Sequence, residues 1–419
     1  MKKKLLTMAA AALLMSGLSS CVYDRDSEDV VTPGGSSLLV INVNSTPVGG
    51  NTRATAITDG TASSRSTAEK TITTMVVNVY SSDGTVKKDA MYLTGLTGEA
   101  STGWATVTEH KDLTNHLAAG DLVLIACNVN STVATALNAA ATPAAFRAVL
   151  STIDQSLIFA DAYAGGETIA ANKLPMYGSG TTTVAADNAA NFEVDVNVMH
   201  MVSKVTLNAL KLSNATGCSF TPTSIFLINV PEKLDFGFTT DGDEANYSFG
   251  GITTNFFQGE SAAVAASTNV TTNSLTTRQF RDYLGTGALT LSAVDANTPL
   301  ANTYTFYTMP NNDATNDTRL VIAGNWDDGT TTTACWYVIQ LNNVNANASL
   351  SLGLYPNRHY LVDVDIQRIG ALLVADDATG AYNTLQTQNS VRATISVTDW
   401  SDGSMTTTFG ANGNAATES

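Results

Sequence analysis

Three stretches of this chain alternate between two faces with a period of two. Phe192, Val194, Val196 and Val198 are apolar, and Glu193, Asp195 and Asn197 between them are polar. Tyr360, Val362, Val364 and Ile366 alternate in the same way with Leu361, Asp363, Asp365 and Gln367, and Ala393, Ile395 and Val397 with Thr394, Ser396 and Thr398. Successive side chains of a strand point to opposite faces, so each stretch reads as a strand with one face on a core and one in water. Further strand-like runs are Met75–Tyr80, closed by the turn signal Ser81-Ser82-Asp83-Gly84, then Trp104–Thr108, Asp121–Asn130, Val202–Leu207 and Ser224–Val230, the last stopped by Pro231. Thr303–Met309, Arg319–Gly324 and Ala334–Leu341 follow, with Asn325–Gly329 read as the turn between the last two. Only Pro143–Leu150 has helical spacing, with proline in its first turn. Many short strands, polar turns and little helix predict an all-β protein of antiparallel β-sandwiches, and 419 residues suit two of them. A Gly/Thr/Ala-rich stretch ending at Asn191 sets the expected boundary, giving sandwiches over 54–190 and 191–419. The polar insertion 241–297 has weak periodicity and room for loops, short strands or a small helix.

Ser36–Ala54 has a different character. Leu38, Leu39, Val40, Ile41 and Val43 form a compact apolar run that reads as a buried strand. Pro47-Val48-Gly49-Gly50-Asn51 and Thr52-Arg53-Ala54 follow as an exposed loop, where proteases cut most readily. A strand tethered by a cuttable loop is removable, and its removal leaves a groove. Residues 1–20 read as a leader, with basic Lys2-Lys3-Lys4 and an apolar Leu5–Leu18 too short for a comfortable membrane span. It ends Leu18-Ser19-Ser20-Cys21, the pattern of a bacterial lipobox in which Cys21 carries the lipid; a plain signal peptide containing a cysteine is the alternative. Residues 21–53 are then a propeptide holding the removable strand.

A net charge of −16 excludes a nucleic-acid partner, since little here could neutralise phosphates. Catalytic chemistry is equally hard to place. There is no H-E-x-x-H, G-x-S-x-G or phosphate-loop motif, and His110, His116, His200 and His359 are scattered. Asp363 and Asp365 share a strand face, as glycosidase carboxylates do, but their strand reads equally as an ordinary half-exposed one. Asp241-Gly242-Asp243-Glu244 departs from the EF-hand pattern and reads as an acidic turn. Cys127, Cys218 and Cys335 are odd in number, so they do not form a disulfide scaffold. The sequence therefore predicts no catalytic residue, no metal site and no cofactor.

The order of several short motifs resembles the Bacteroidales fimbrillins, the shaft subunits of type V pili. These are the lipobox at Cys21, the strand Leu38–Val43 before Thr52-Arg53-Ala54, and Leu174-Pro175-Met176-Tyr177-Gly178. Val202-Ser203-Lys204-Val205, Tyr355-Pro356-Asn357-Arg358-His359-Tyr360 and Val397-Thr398-Asp399-Trp400 complete the set, while 241–297 matches nothing. The resemblance implies two transthyretin-like sandwiches and a lipidated precursor at the outer membrane. It implies cleavage by an arginine-specific protease after Arg53, before Ala54, with Arg65 as the rival site. It also implies that a C-terminal strand of the next copy fills the vacated groove, head to tail, in a pilus with accessory anchor and tip pilins. Met405, Thr407 and Phe409, which would share one face, mark the donor strand, with folding back onto the parent domain as the alternative. A monomeric surface lipoprotein that binds glycans is the rival function; it would keep its first strand and display aromatic platforms.

Overall fold

The computed structural model describes residues 37–44, 69, 71–96, 106–113, 117–152, 174–185, 191–213, 215–231, 233–238, 247–249, 256–257, 291–292, 304–342, 352–372, 391–399 and 403–408. Cys21, Arg53, Ala54, Arg65, Phe409, His116 and Asp241–Glu244 lie outside them.

The first sandwich contains β1 (Ser37–Asn44), β2 (Thr74–Tyr80), β3 (Lys87–Thr94), β4 (Thr106–Leu113), β5 (Leu122–Cys127), β6 (Ser151–Thr152), β7 (Met176–Thr181), β8 (Thr183–Val184), β9 (Phe192–Asn197) and β10 (Met199–His200). One sheet has the order β4-β1-β9-β8 and the facing sheet β10-β7-β5-β2-β3. The runs of β2 and β5, TMVVNVY and LVLIAC, are apolar almost throughout, because this second sheet is covered on both sides. Met75, Val77, Val79, Val123 and Ile125 pack towards β1 and β9, and Val76, Tyr80, Leu124 and Ala126 pack the other way. The helix Ser131–Ala139 lies on that other side; its Leu137 carbonyl accepts from the Asn78 amide, and the Ala140 carbonyl from the Tyr80 hydroxyl. This helix was not expected from the sequence, although Asn130 caps it by accepting from the Val133 N–H. The expected helix runs only over Pro143–Arg147, with Thr142 as its cap.

The second sandwich contains β11 (Ser203–Leu212), β12 (Ser219–Ile228), β13 (Val230–Pro231), β14 (Lys233–Leu234), β15 (Phe256–Phe257), β16 (Leu291–Ser292), β17 (Tyr304–Thr308), β18 (Arg319–Asp327), β19 (Thr332–Gln340), β20 (Arg358–Ile366), β21 (Ala371–Leu372), β22 (Val391–Asp399) and β23 (Gly403–Thr408). Its sheets have the orders β17-β11-β20-β22-β23 and β16-β12-β18-β19-β21. The pairing is antiparallel nearly everywhere, with β1–β9 and β11–β20 as parallel exceptions. The turn expected at Asn325–Gly329 comes two to three residues later. Trp326 and Asp327 still pair across to Thr333 and Thr332, and the reversal comes at Asp328–Thr331, where Asp328 accepts from two backbone N–H groups and Gly329 takes φ +84°.

The boundary between the sandwiches also moves. It was expected at 190/191, but β9 pairs with β1 and β8, and β10 with β7, so the first sandwich runs through His200. The Gly/Thr/Ala-rich stretch marks the β8–β9 hairpin, closed by Ala185 N–H donating to Asn191, rather than a linker. Turn chemistry and linker chemistry use the same small polar residues, and only pairing separates them.

The two sandwiches share a continuous core. Phe146 and Tyr177 of the first meet Phe236, and Tyr177 stacks on Phe238 with ring centroids 6.1 Å apart and planes 11° from parallel. Phe238, Tyr247, Phe249 and Tyr355 continue the chain of rings at 5.2, 4.8 and 5.0 Å into the second sandwich. A short β6–β14 pairing and the Phe236 N–H to Arg147 carbonyl bond bind the backbones across the same junction.

Candidate functional site

β1 is an interior strand. Its eight residues pair antiparallel with β4, from Ser37 opposite Leu113 to Asn44 opposite Thr106. On its other side Leu39 to Asn44 pair in parallel with Phe192 to Asn197 of β9. Among the described residues β4 has no strand neighbour but β1. Alternation places Leu39, Ile41 and Val43 inside, each with no exposed surface, among Val77, Val79, Val123, Val194 and Val196. The sequence singled out Leu38, Leu39, Val40, Ile41 and Val43 together; the structure buries Leu39, Ile41 and Val43 on the inner face, and the side chains of Leu38 and Val40 are outside the described set.

Three side chains at roughly 1.5–3 kcal/mol each, with a ladder on both flanks at about 0.5–1.5 kcal/mol per hydrogen bond, make β1 worth as much as the 5–15 kcal/mol net stability of a typical domain. Taking it out would leave an apolar slot one strand wide, between an orphaned β4 and the parallel edge of β9. The described inner-face side chains around that slot, Val77, Val79, Val123, Val194 and Val196, are apolar, so on that face it would select an occupant by strand length, alternation and side-chain size. The opposite sheet would keep its second covered face, against the helix and the aromatic junction.

A close approach borders the slot. A Cβ on Gly178 of β7 would lie 2.4 Å from the Asn197 carbonyl oxygen of β9, and one on Gly180 would lie 2.8 Å from the Asp195 carbonyl oxygen. The two sheets therefore nearly touch where β9 crosses β7, and only hydrogen at these positions lets them do so. The Gly-Ser-Gly spacing, two residues apart on one strand face, was the signal for this contact; in the sequence Gly178 stands out only in a family motif and at the opening of the Gly/Thr/Ala-rich stretch.

The expected donor segment lies elsewhere. β23 is the edge strand of the β17-β11-β20-β22-β23 sheet, with Met405 in register with Val397 and Thr407 with Ile395. In this structure it is folded back on its own domain. Among the described residues it pairs on one side, with β22, whereas β1 pairs on both.

The remaining polar candidates have ordinary roles. Asp363 accepts from the Asn208 amide and Asp365 from the Ser213 hydroxyl, on a solvent-facing strand side. His200 and His359 are buried; His359 lies 2.9 Å from the Thr206 hydroxyl, and burial, with Lys204 nearby, pulls its pKa down to about 3. Cys127 and Cys335 are buried free thiols. Trp326 and Trp336 are buried as well, so neither offers the exposed platform that a glycan-binding surface requires. No helix among the described residues is long and apolar enough to cross a membrane.

No family model and no curated protein matches this chain. Solved structures do. A candidate cell adhesion protein from Parabacteroides distasonis superposes with a TM-score of 0.55 at 11% identity, over 88% of this chain and 98% of its own. A candidate cell adhesion protein from Bacteroides eggerthii gives 0.52 at 16%, over 88% and 97%. A fimbrilin from Porphyromonas gingivalis aligns over 87% of this chain and 98% of its own at 13% identity, with a TM-score of 0.48, too loose a fit to argue from. The fold is thus that of the two cell adhesion proteins, matched along nearly their whole lengths.

Proposed function

We propose that this chain is a structural subunit of a type V pilus on a bacterial surface, polymerised by exchange of strands between copies. The observation that carries the reading is the position of β1: among the described residues it is the first strand and the sole partner of β4, and it is interior to its sheet and fully buried on one face. A strand at the very start of a fold can leave without disturbing the chain order of the rest. The gap it leaves has two unpaired edges, a hazard for any protein unless another strand refills it.

In this reading the precursor is lipidated at Cys21, which anchors it in the outer membrane, and an arginine-specific protease cuts after Arg53. Residues up to 53 depart with β1, and the mature chain starts at Ala54. The segment carrying Met405, Thr407 and Phe409 leaves its edge position on one copy and enters the slot of the next. Main-chain hydrogen bonds supply affinity and alternate side chains supply specificity. Because each contact is head to tail and does not close, the product is a filament, with accessory anchor and tip pilins at its ends. The shared fold of two cell adhesion proteins and the burial of Trp326 and Trp336 support this over a monomeric glycan-binding lipoprotein.

Treatment of the purified precursor with a trypsin-like protease tests it. The expected product begins at Ala54 and forms ladders that resist SDS. A product that begins at Ala54 and stays monomeric would overturn the shaft role.

A further inference from the structure

Glu69 is the first described residue after β1, and it is held through both its side chain and its backbone. It is 1% exposed. Its Oε1 accepts from Lys204 Nζ of β11 at 2.8 Å and from the Tyr307 hydroxyl of β17, two residues that are themselves paired in register. Its backbone carbonyl accepts from His200 Nε2 of β10 at 2.7 Å; a carbonyl cannot donate, so His200 carries its proton on Nε2. The residues that follow are pinned too. The Asn128 side chain donates to the Thr71 carbonyl and accepts from the Thr73 N–H, and Ile72 is fully buried between them. Glu69 and the stretch Thr71–Thr73 before β2 are thus held by groups from both sandwiches.

A protease binds several residues on each side of the scissile bond in extended form, so it cuts a folded chain only where that stretch is free or opens transiently. Arg65 precedes Glu69 by four residues and Lys70 follows it directly, whereas Arg53 lies sixteen residues upstream. A substrate register centred on Arg65 or Lys70 must draw Glu69 out of its buried ion pair; one centred on Arg53 does not involve it.

We propose that the Glu69–Lys204–Tyr307–His200 clasp sets the downstream limit of maturation. It makes Arg53 the productive site, refuses Arg65 and Lys70, and keeps the new end of the chain fastened to both sandwiches when β1 departs. The proposal rests on the pilus reading for its purpose, but its readout is the cleavage pattern and not assembly.

The test is limited trypsin digestion of the full chain, with product ends assigned by intact mass and N-terminal sequencing. Wild type should be cut after Arg53 well before Arg65 or Lys70. Lys204→Met and Tyr307→Phe should each raise the rates after Arg65 and Lys70 by roughly tenfold or more, since cleavage of a briefly opened segment follows its open population. Lys88→Met, which removes the separate Lys88–Asp121 ion pair, is the control for general loosening and should leave those rates unchanged. If Lys204→Met does not fold, Tyr307→Phe decides, since it removes only a hydroxyl. Wild type cut as fast after Arg65 as after Arg53, clasp variants with the wild-type pattern, or an equal effect in Lys88→Met would each overturn the proposal. A correct pattern followed by no polymer would count against the pilus reading and leave the clasp standing.

Discussion

Ile41 of β1 and Val194 of β9 stand in parallel register, the first fully buried and the second all but so. The contact joins a strand that the proposed maturation removes to one that it keeps. Ile41→Ala should therefore destabilise the precursor by about 2–5 kcal/mol, as expected for truncation in a packed core. The protein isolated after cleavage should melt like the cleaved wild type, because the altered residue has gone. Parallel denaturant melts before and after protease treatment check this; an equal loss in both forms would mean that β1 stays in place.

Gly178 is needed for its missing side chain. Gly178→Val puts a Cβ only 2.4 Å from the Asn197 carbonyl oxygen and 2.8 Å from the Val196 side chain. Both obstacles belong to β9 and one is backbone, so the sheets must separate at the border of the slot. A cost of about 1–3 kcal/mol in the precursor is expected, with slower or weaker polymer formation after cleavage. Gly217→Ala serves as the comparison, because nothing lies within 4 Å of its would-be Cβ; its cost should come only from the positive φ of +80°.

Among the described residues β23 pairs only with β22, at the sheet edge. Deleting residues 404–419 should leave a folded monomer with an unchanged near-UV spectrum. Cleaved at Arg53, that monomer should not form ladders alone, though its slot should still accept a donor from an intact copy. Ladders from the truncated protein alone would move the donor role to another segment.

His359 gives a pH dependence with a definite sign. Its pKa falls from the ordinary histidine range to about 3, first because burial disfavours the imidazolium and second because Lys204 is close. The unfolded chain takes up this proton near pH 6.5 and the folded one does not, so stability is full above that value. It falls as the pH drops from 6.5 towards 3, by up to about 1.4 kcal/mol per pH unit for one proton. Urea melts at pH 7, 5.5 and 4 should show the decline. His359→Gln should flatten it while lowering stability at pH 7 through the changed contact with Thr206.

Much of this protein can be read from side-chain order. Phe192 to Val198, Tyr360 to Ile366 and Ala393 to Val397 announce half-buried strands, and each lies in or overlaps one. Leu38 to Val43 announces a buried strand near the start, because apolar residues between turn signals have few other places to go. Partners are another matter. Nothing local distinguishes the parallel pairing of β1 with β9 from an antiparallel one, and nothing local says that β8 and β9 pair with each other rather than stand on either side of a domain boundary.

The sequence by itself determined many of the strands, though not β3 or β7, and which of their faces are apolar, because those properties depend on residues two apart. Only the tertiary structure decided that β1 lies between β4 and β9, that Gly178 lets two sheets touch, and that Glu69 is gripped by Lys204, Tyr307 and His200. Those relations join residues from about twenty positions apart, as in Gly178 and Asn197, to 238 apart, as in Glu69 and Tyr307, and they are settled by which surfaces can be buried together once the whole chain has collapsed.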